Sequence, residues 1–326
     1  MPDPSDQEDP LVSTLDTHPI LDDPPFGARV SGLTRERVAD PEVRAALNAL
    51  FEARGLLVFE DVEPTPEMQV ALSTVFGPLK DHPSKATPRV GDGELLGVIE
   101  IRHEPNEGGV VRVDGQLLAQ WLPWHFDHCY NDQLNRAGVL RSIEAPPVGG
   151  RTRFVDGIAL YQALSPALRD RIEGETVAYA MDVILDNLHY GRPEGFEENE
   201  APGAAEGVMT EYAGRPRALH PAVWTRDSGE KVLHVSPWMA KGLVGQEDAD
   251  GEALLAAVCD ELVAVAEGLC YEHEWKPTDM VIWDNWRVVH SGAGPPPQDR
   301  RCLPRTTIAG DSGPRRLEGL ATPGAW

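Results

Sequence analysis

The amino-acid sequence predicts a mainly β protein with flanking helices, in which residues 24–326 form a single domain. Two observations carry this prediction. Beyond Leu95 the chain consists of short apolar or alternating runs separated by glycine and proline, which is typical of β-strands joined by turns. Before that point, and in two later segments, apolar residues instead recur at helical spacing. With 326 residues, the chain can bury a sizeable core without crosslinks.

The segment before Leu95 is predicted to form two helices with a strand between them. Apolar residues recur at helical spacing over 41–53, and the apolar run GLLVF at 55–59 indicates a buried strand. A second helix is predicted to begin at Thr65, because the following proline suits the first helical position, and to end near Gly77.

Residues 1–23 are acidic and rich in proline, with little apolar content. A segment of this composition cannot bury enough apolar surface to fold by itself, so we expect it to be disordered or loosely packed. We exclude it from the predicted domain.

The later part of the chain supplies the β-strands and two further helices. The helices are predicted at 158–172 and 252–267, and the segment 194–207 between them is acidic and rich in Gly, Pro and Ala, so it is predicted to be a mobile excursion. The strand-like runs are GVIEIR, RTRFVD, KVLHVS, DMVIWD and PRTTIAGD.

Composition and charge exclude several classes of protein. No apolar run approaches the roughly 20 residues of a membrane-spanning helix, and the four widely spaced cysteines favour a reducing cytoplasm. The formal net charge of −24 opposes binding of nucleic acid or of anionic membranes. It also opposes anionic small molecules, so a pocket for such a ligand must contain its own arginine or lysine.

The sequence WHFDH contains a candidate metal-binding pair. His125 and Asp127 are two residues apart, so on a strand both side chains point to the same face. An H-x-D pair alone is weak evidence, because a chain this rich in acidic residues contains one by chance. Its alternative interpretation is a solvated pair on a surface strand.

The end of the chain adds a third candidate ligand and two arginines. His290 ends the run WDNWRVVH, Arg301 follows 11 residues later, and Arg305 four residues after that. The even interval places both guanidinium groups on one face of a strand, where they require anions. Two histidines and one carboxylate would leave positions open on iron for an oxo-acid and dioxygen, and an arginine would then bind the distal carboxylate.

These motifs resemble the taurine dioxygenase / 2,4-dichlorophenoxyacetate dioxygenase family of iron(II) oxygenases. The similarity runs from about His18 to Asp311 and includes GARVSGL, GLLVFEDVEPTPEMQVALSTVFGPL, WHFD, GGRTRFVDGIALYQALSPALR, HPAVWTRDSGEKVLHV, WDNWRVVH and TTIAGD. The resemblance implies a double-stranded β-helix, the cupin-like jelly roll, as a single catalytic domain. It also implies Fe(II), with 2-oxoglutarate and dioxygen as cosubstrates.

The resemblance also assigns roles to individual residues. It implies that iron is held by His125, Asp127 and His290, and that Arg301 and Thr152 hold a carboxylate of 2-oxoglutarate. Arg305 and His82 match residues that bind the anionic group of the substrate. Thr152 as an ordinary strand residue and His82 as a structural loop histidine are the alternatives.

Departures from taurine dioxygenase bear on the prime substrate. Trp121 and Tyr130 stand where that enzyme has an asparagine and a phenylalanine, and Trp238 and Met239 fall at another pocket wall, with core packing as their alternative. A broad aromatic surface suits an aryl or alkyl body better than a zwitterion. We therefore expect hydroxylation of a carboxylate, sulfonate or sulfate ester with an apolar, aromatic body, with cleavage of the product where the oxidised carbon bears oxygen or sulfur.

The same scaffold can carry other functions. A non-catalytic cupin-like protein that binds an anionic ligand would not need the complete set of ligands and arginines. A halogenase normally lacks the carboxylate, which Asp127 supplies here. Desaturation and assembly into a homo-oligomer are left open by the sequence.

Overall fold

The computed structural model describes residues 15–85, 87, 89–90, 97–198, 205–310 and 316–320. Residues 1–14 and 199–204, for which disorder and mobility were predicted, lie outside the described part. The α-helices are α1 Arg35–Ala39, α2 Pro41–Arg54, α3 Pro66–Ser73, α4 Gly157–Ala163, α5 Pro166–Ile172, α6 Ala205–Tyr212 and α7 Ala249–Leu269.

The β-strands occur along the whole described chain. They are β1 Asp16–Asp22, β2 Pro25–Ser31, β3 Leu56–Phe59, β4 Leu79–Lys80, β5 Val98–His103, β6 Val110–Val113, β7 Gln116–Ala119, β8 Leu122–His125, β9 Ala137–Arg141, β10 Thr152–Asp156, β11 Thr176–Tyr179, β12 Glu197–Glu198, β13 Ala218–Pro221, β14 Val223–Thr225, β15 Lys231–Leu233, β16 Ala240–Leu243, β17 Tyr271–His273, β18 Met280–Asp284, β19 Val288–Gly292, β20 Arg301–Ile308 and β21 Arg316–Leu317.

Two sheets face each other and form the jelly roll that was predicted. The main sheet has the order β1-β2-β3-β18-β9-β20-β4, and β5 also pairs with β20. The second sheet has the order β17-β10-β19-β8. Between them, Leu140 and Leu303 of the main sheet share one apolar cluster with Phe154 and Val288 of the second. Strands from distant parts of the sequence therefore meet across a common core.

The helices cover the outer faces of the sheets. Helices α1, α2 and α3 pack Val38, Leu47 and Met68 into a cluster with the outer face of the main sheet. Helix α7 packs Leu255 and Leu262 into another cluster beside the second sheet. None of the described helices has the length and apolar character needed to cross a membrane.

The predicted loose packing of residues 1–23 is wrong for the strand β1. This strand pairs antiparallel with β2 in a continuous register from Asp16 opposite Ser31 to Asp22 opposite Pro25. Most of its side chains are exposed or half-buried. Because it adds to the sheet edge through backbone hydrogen bonds, it leaves no clear apolar pattern in the sequence.

The helix predicted over 158–172 is interrupted. It forms α4 and α5, with Leu164 and Ser165 between them in non-helical conformations at ψ 137° and 140°. The cause is Pro166, which lacks an N–H and disfavours helical backbone in the residue before it. The helices predicted at 41–53, 65–77 and 252–267 correspond to α2, α3 and α7.

The described ends of the predicted excursion at 194–207 have regular structure. Strand β12 pairs with β6, and β6 pairs with β7, giving a small three-stranded sheet over the mouth of the jelly roll. Helix α6 begins at Ala205. This small sheet supplies one wall of the site described below.

Candidate active site

Strand pairing places His125 and His290 side by side. His125 is the last residue of β8, and the pairing of β8 with β19 puts His290 opposite it, with ring centroids 4.2 Å apart. Asp127 lies just beyond the strand end, and its Oδ1 is 3.8 Å from His290 Nε2. One ligand atom from each of the three buried side chains lies within 4.8 Å of the others. This cluster can hold a metal ion.

Both histidines are in the form that can bind a metal. Burial lowers the pKa of His125, and burial together with the neighbouring His125 and Arg305 keeps the pKa of His290 well below its usual value. The rings are therefore neutral near pH 7, when a lone pair is available. His125 Nδ1 donates to the carbonyl oxygen of Pro123 at 2.8 Å, which leaves Nε2 free. His290 Nδ1 is buried without a hydrogen-bond partner among the described residues.

The backbone of Asp127 is fixed by Asn285. The side-chain oxygen of this fully buried asparagine accepts from Asp127 N at 2.7 Å, and its Nδ2 donates to Asp127 O at 3.0 Å. The same Nδ2 contacts Asn135 Oδ1 at 3.0 Å. Sequence analysis missed Asn285, because an asparagine after a strand is an ordinary turn residue.

Asn285→Ala is expected to weaken both iron binding and the fold. It leaves the buried N–H and C=O of Asp127 without partners, which costs about 1–3 kcal/mol for each group. Denaturant unfolding of the metal-free protein and titration with Fe(II) measure the two effects. Asn187→Ala, which changes an exposed asparagine, is the control. Unchanged iron affinity in the Asn285 variant would show that this residue does not position Asp127.

Arg305 is in direct contact with Asp127. Its Nη2 donates to Asp127 Oδ2 at 2.6 Å, and both side chains are buried. The guanidinium also lies over the ring of Trp283, 5.8 Å from the centroid. Its Nε has no hydrogen-bond partner within the described chain. Arg305 therefore keeps donors for a ligand while it contacts a candidate metal ligand.

Arg301 is a buried cation that, in the part of the chain described, has only neutral partners. Its Nε donates to Gly150 O and its Nη1 to Gln120 Oε1, both at 3.2 Å, and Nη2 lies 3.5 Å from Thr152 Oγ1. Burial lowers the pKa of Arg301 to about 10, so it remains charged at neutral pH. A buried charge without a counter-ion is costly, and an anionic ligand would supply one.

Thr152 lies beside Arg301 on β10. Its Oγ1 accepts a hydrogen bond from Trp275 Nε1 at 3.0 Å as well as facing Arg301. With its lone pairs engaged, the hydroxyl hydrogen is left to be donated to a ligand. Arg300, by contrast, is exposed and pairs with Glu104.

A cavity of about 460 Å³ lies at the mouth of the jelly roll, and its lining includes the three candidate metal ligands, Thr152 and both buried arginines. Arg301 and Arg305 project into it from β20, as their even spacing predicts. Most other lining side chains are apolar or aromatic: Ile101, Val111, Leu118, Trp121, Leu122, Leu140, Val183, Leu185, Ala205, Val208, Trp238, Trp283 and Leu303.

Trp283 forms part of the cavity wall next to His290, with ring centroids 4.9 Å apart. Opposite it in the main sheet is Gly138, where an added Cβ would lie 2.6 Å from the indole ring. Glycine is therefore needed at this position for the tryptophan to fit.

The predicted substrate-site residues separate into two groups. Trp121 and Trp238 line the cavity, and the Trp238 ring meets His125 edge-on at 5.1 Å. Tyr130 and Met239 do not: Tyr130 packs against Tyr212 at 5.2 Å, and Met239 Sδ lies 3.9 Å from Cys129 Sγ in the core. The prediction that Tyr130 and Met239 form part of the pocket wall is therefore wrong. Both side chains pack against the core instead.

His82 also lies outside the cavity lining, against His128 with ring centroids 5.3 Å apart. Its Nδ1 accepts from Ser84 N at 3.2 Å. Burial, followed by the charge of Arg305, lowers the pKa of His82 to about 4, so the ring is neutral at pH 7. The described structure therefore does not place His82 in the pocket lining, and the neutral ring cannot pair with an anion.

The fold and the site together define a class of protein. Two histidines and one carboxylate, with the remaining coordination positions facing an open cavity, are the donor set of non-haem Fe(II) oxygenases. The three side chains present fit Fe(II), because their donors are neutral imidazole nitrogens and a carboxylate oxygen gathered on one side of the cavity. The buried arginine beyond them fits a cosubstrate with a second carboxylate.

Residues 16–307 match the family described as "Taurine catabolism dioxygenase TauD, TfdA family", and the chain belongs to this family. It is 28% identical over 297 residues to the alpha-ketoglutarate-dependent 2,4-dichlorophenoxyacetate dioxygenase of Cupriavidus pinatubonensis, covering 89% of this chain and 96% of that protein. It is 30% identical over 293 residues to the (S)-phenoxypropionate/alpha-ketoglutarate-dioxygenase of Sphingobium herbicidovorans, covering 89% and 93%.

Solved structures support the fold. A putative alpha-ketoglutarate-dependent taurine dioxygenase from Burkholderia xenovorans superposes with a TM-score of 0.67 at 22% identity, covering 94% of this chain and 96% of that one. The protein is thus an oxidoreductase that uses Fe(II), 2-oxoglutarate and dioxygen. The alternative of a non-catalytic cupin-like binding protein is not supported.

Proposed function

We propose that this dioxygenase hydroxylates a small organic anion with an apolar, aromatic body, and that Arg305 binds the anionic group. The observation that carries the proposal is the position of Arg305, a buried cation in the wall of an otherwise mostly apolar cavity, next to the candidate metal ligands. A group that binds there lies close to the reacting centre.

The roles of the other site residues follow from their contacts. We assign His125, Asp127 and His290 to Fe(II), and Arg301 with the Thr152 hydroxyl to the distal carboxylate of 2-oxoglutarate. Bound Fe(II), with 2-oxoglutarate and dioxygen, supplies the oxidation that replaces a substrate C–H by C–OH while succinate and carbon dioxide leave. The protein contributes position and charge, and the apolar walls exclude water.

The charges of the site direct an anionic group to Arg305. With Fe(II) bound, the positive charge of the ion and the two buried arginines exceeds the negative charge of Asp127 and Glu198 by two, and the dianion 2-oxoglutarate balances it. A substrate anion therefore depends on a cation close to it, which Arg305 supplies. Glu198 lines the cavity from β12 and opposes an anion at that side.

The apolar walls define the body of the substrate. Trp121, Trp238 and Trp283 offer large flat surfaces, and the aliphatic lining side chains offer no hydrogen bonds. The relatives named above act on aryloxy acids by their descriptions, and we propose a similar carboxylate, a sulfonate or a sulfate ester.

The fate of the product depends on which carbon is oxidised. If that carbon bears an ether oxygen or a sulfate-ester oxygen, the hydroxylated product breaks down by loss of that C–O bond. The enzyme then cleaves the ether or the sulfate ester. We further propose that it works in the cytoplasm, in keeping with its four free cysteines, and that its partners are small molecules rather than nucleic acid or membranes.

The proposal is tested by pairs of acids and their neutral methyl esters, chosen among aryl and alkyl carboxylates, with sulfonates and sulfate esters as further anions. Succinate formed above the background without substrate measures turnover. We expect the acid to exceed its ester by at least tens-fold in kcat/KM, because a buried ion pair that loses one partner costs about 2–5 kcal/mol. An ester turned over as well as its acid would overturn the anion assignment.

A further inference from the structure

Gln120 is a cavity residue that contacts Arg301 directly. Its Oε1 accepts from Arg301 Nη1 at 3.2 Å. Since arginine only donates, the amide oxygen must face the guanidinium, and the amide nitrogen then points to the other side. That nitrogen makes no hydrogen bond with any residue in the described part of the chain, and Gln120 lines the same cavity as Arg301 and Thr152.

The donors of Arg301 can be counted. A guanidinium has five N–H groups, and Gly150 O, Gln120 Oε1 and Thr152 Oγ1 each face one of them. One N–H then remains on each Nη, and a carboxylate can accept from two such donors in an ion pair. The neutral acceptors turn Arg301 to present this pair without cancelling its charge.

The backbone at Gln120 has an unusual conformation that neighbouring contacts hold in place. Gln120 has φ 49°, in the left-handed region that non-glycine residues rarely adopt. The turn is fixed to the segment after His290: Ala119 N donates to Pro295 O at 2.9 Å, and a Cβ at Gly294 would lie 2.5 Å from Ala119 O. A strained residue that lies just before the strand of His125, in a turn fixed to the segment after His290, is consistent with a functional role.

We propose that Gln120 is a further binding residue for 2-oxoglutarate: its amide oxygen orients Arg301, and its amide nitrogen donates to the distal carboxylate. This rests on the role proposed above for Arg301. Because Gln120 directly follows β7, the small sheet over the cavity mouth would then contribute a residue to cosubstrate binding. It is a binding and positioning residue, and it takes no part in bond-making.

The test is an anaerobic titration of the Fe(II)-loaded enzyme with 2-oxoglutarate. The visible charge-transfer band of the chelate measures binding. Gln120→Met keeps the size of the side chain but loses both hydrogen bonds, and we expect the Kd for 2-oxoglutarate to rise about tenfold or more. Gln120→Glu adds a carboxylate that pairs with Arg301 and repels the ligand, so its effect should be larger, about a hundredfold.

Pyruvate distinguishes binding from a general structural role. It chelates iron in the same way but lacks the distal carboxylate, so Gln120→Met should leave its Kd within about twofold. Gln116→Met, the same change at an exposed position of the same hairpin, should leave both ligands unaffected. An unchanged 2-oxoglutarate Kd in Gln120→Met, or equal weakening of pyruvate and 2-oxoglutarate, would overturn the proposal.

Arg301→Ala separates this inference from the assignment on which it rests. We expect it to raise the Kd for 2-oxoglutarate by tens-fold or more, because it removes a two-point ion pair in a buried pocket. If Arg301→Ala has no effect, the proposed role of Arg301 is wrong. If Arg301→Ala weakens binding and Gln120→Met does not, Arg301 stands and only the role of Gln120 fails.

Discussion

Asp127→Ala is expected to reduce succinate formation to the rate that Fe(II) gives without the enzyme, whether or not the prime substrate is present. The change removes one of three candidate ligands and also leaves the buried Arg305 without its 2.6 Å ion-pair partner. An uncompensated buried charge costs about 3–5 kcal/mol, so the alanine variant is also expected to be less stable. Succinate release at saturating Fe(II) and 2-oxoglutarate measures the loss of activity.

Asp127→Asn separates loss of the ligand from loss of the fold. The amide oxygen can still accept from Arg305, so the variant should lose less stability than Asp127→Ala, although the buried guanidinium loses its counter-ion. Turnover should nevertheless be lost, because a neutral amide is a poor ligand for Fe(II). Asp170→Ala, which changes an exposed carboxylate on α5, is the control. Substantial turnover by the folded asparagine variant would contradict the assignment of Asp127.

Arg305→Gln is expected to lower kcat/KM for the anionic substrate by about tens-fold to a thousandfold, because the buried anion loses its counter-ion. Glutamine is preferred to alanine because its amide can still donate to Asp127 Oδ2. The 2-oxoglutarate chelate band and the succinate background without substrate should therefore change little. Parallel titration of 2-oxoglutarate and of the substrate distinguishes the two binding steps.

Arg305→Lys provides the matched variant, because it keeps the charge but loses the planar group with several donors. We expect activity between that of the parent and that of Arg305→Gln. If the glutamine variant turns over the acid as well as the parent does, the substrate anion lies elsewhere. If its charge-transfer band is lost, Arg305 acts mainly by holding Asp127.

The parts of the fold that follow local patterns could be predicted from the sequence. Helical spacing predicts α2 and α7, and the Thr65-Pro66 signal places the start of α3. The even interval between Arg301 and Arg305 predicts that both side chains share one face of β20, and both line the cavity. Each inference needs only the period of a helix or a strand.

Contacts between distant segments could not be predicted in the same way. The hydrogen bonds of Asn285 to Asp127 and of Gln120 to Arg301 join residues 158 and 181 positions apart. No spacing rule carries such information. The contact of Arg305 with Asp127 belongs to the same class: the sequence places an arginine on the inner face of a strand, but the pairing of the sheets decides what it touches.

The pocket-wall predictions show the limit of the resemblance. Position along the chain places Trp121, Tyr130, Trp238 and Met239 around the cavity, yet only the two tryptophans line it. Tyr130 lies beyond the strand that ends at His125 and turns towards Tyr212, and Met239 has a left-handed backbone at φ 69° and faces the core. Side-chain direction in such irregular segments follows from local turns that the sequence pattern does not specify.

The central claim is that 2-oxoglutarate chelates iron held by His125, Asp127 and His290. The most direct measurement is the anaerobic visible spectrum of the parent enzyme with Fe(II) as 2-oxoglutarate is added. We predict a weak charge-transfer band that saturates at one 2-oxoglutarate per chain and is absent from Asp127→Ala. No band in the parent enzyme, or the same band in an Asp127→Ala protein that binds iron, would contradict the account.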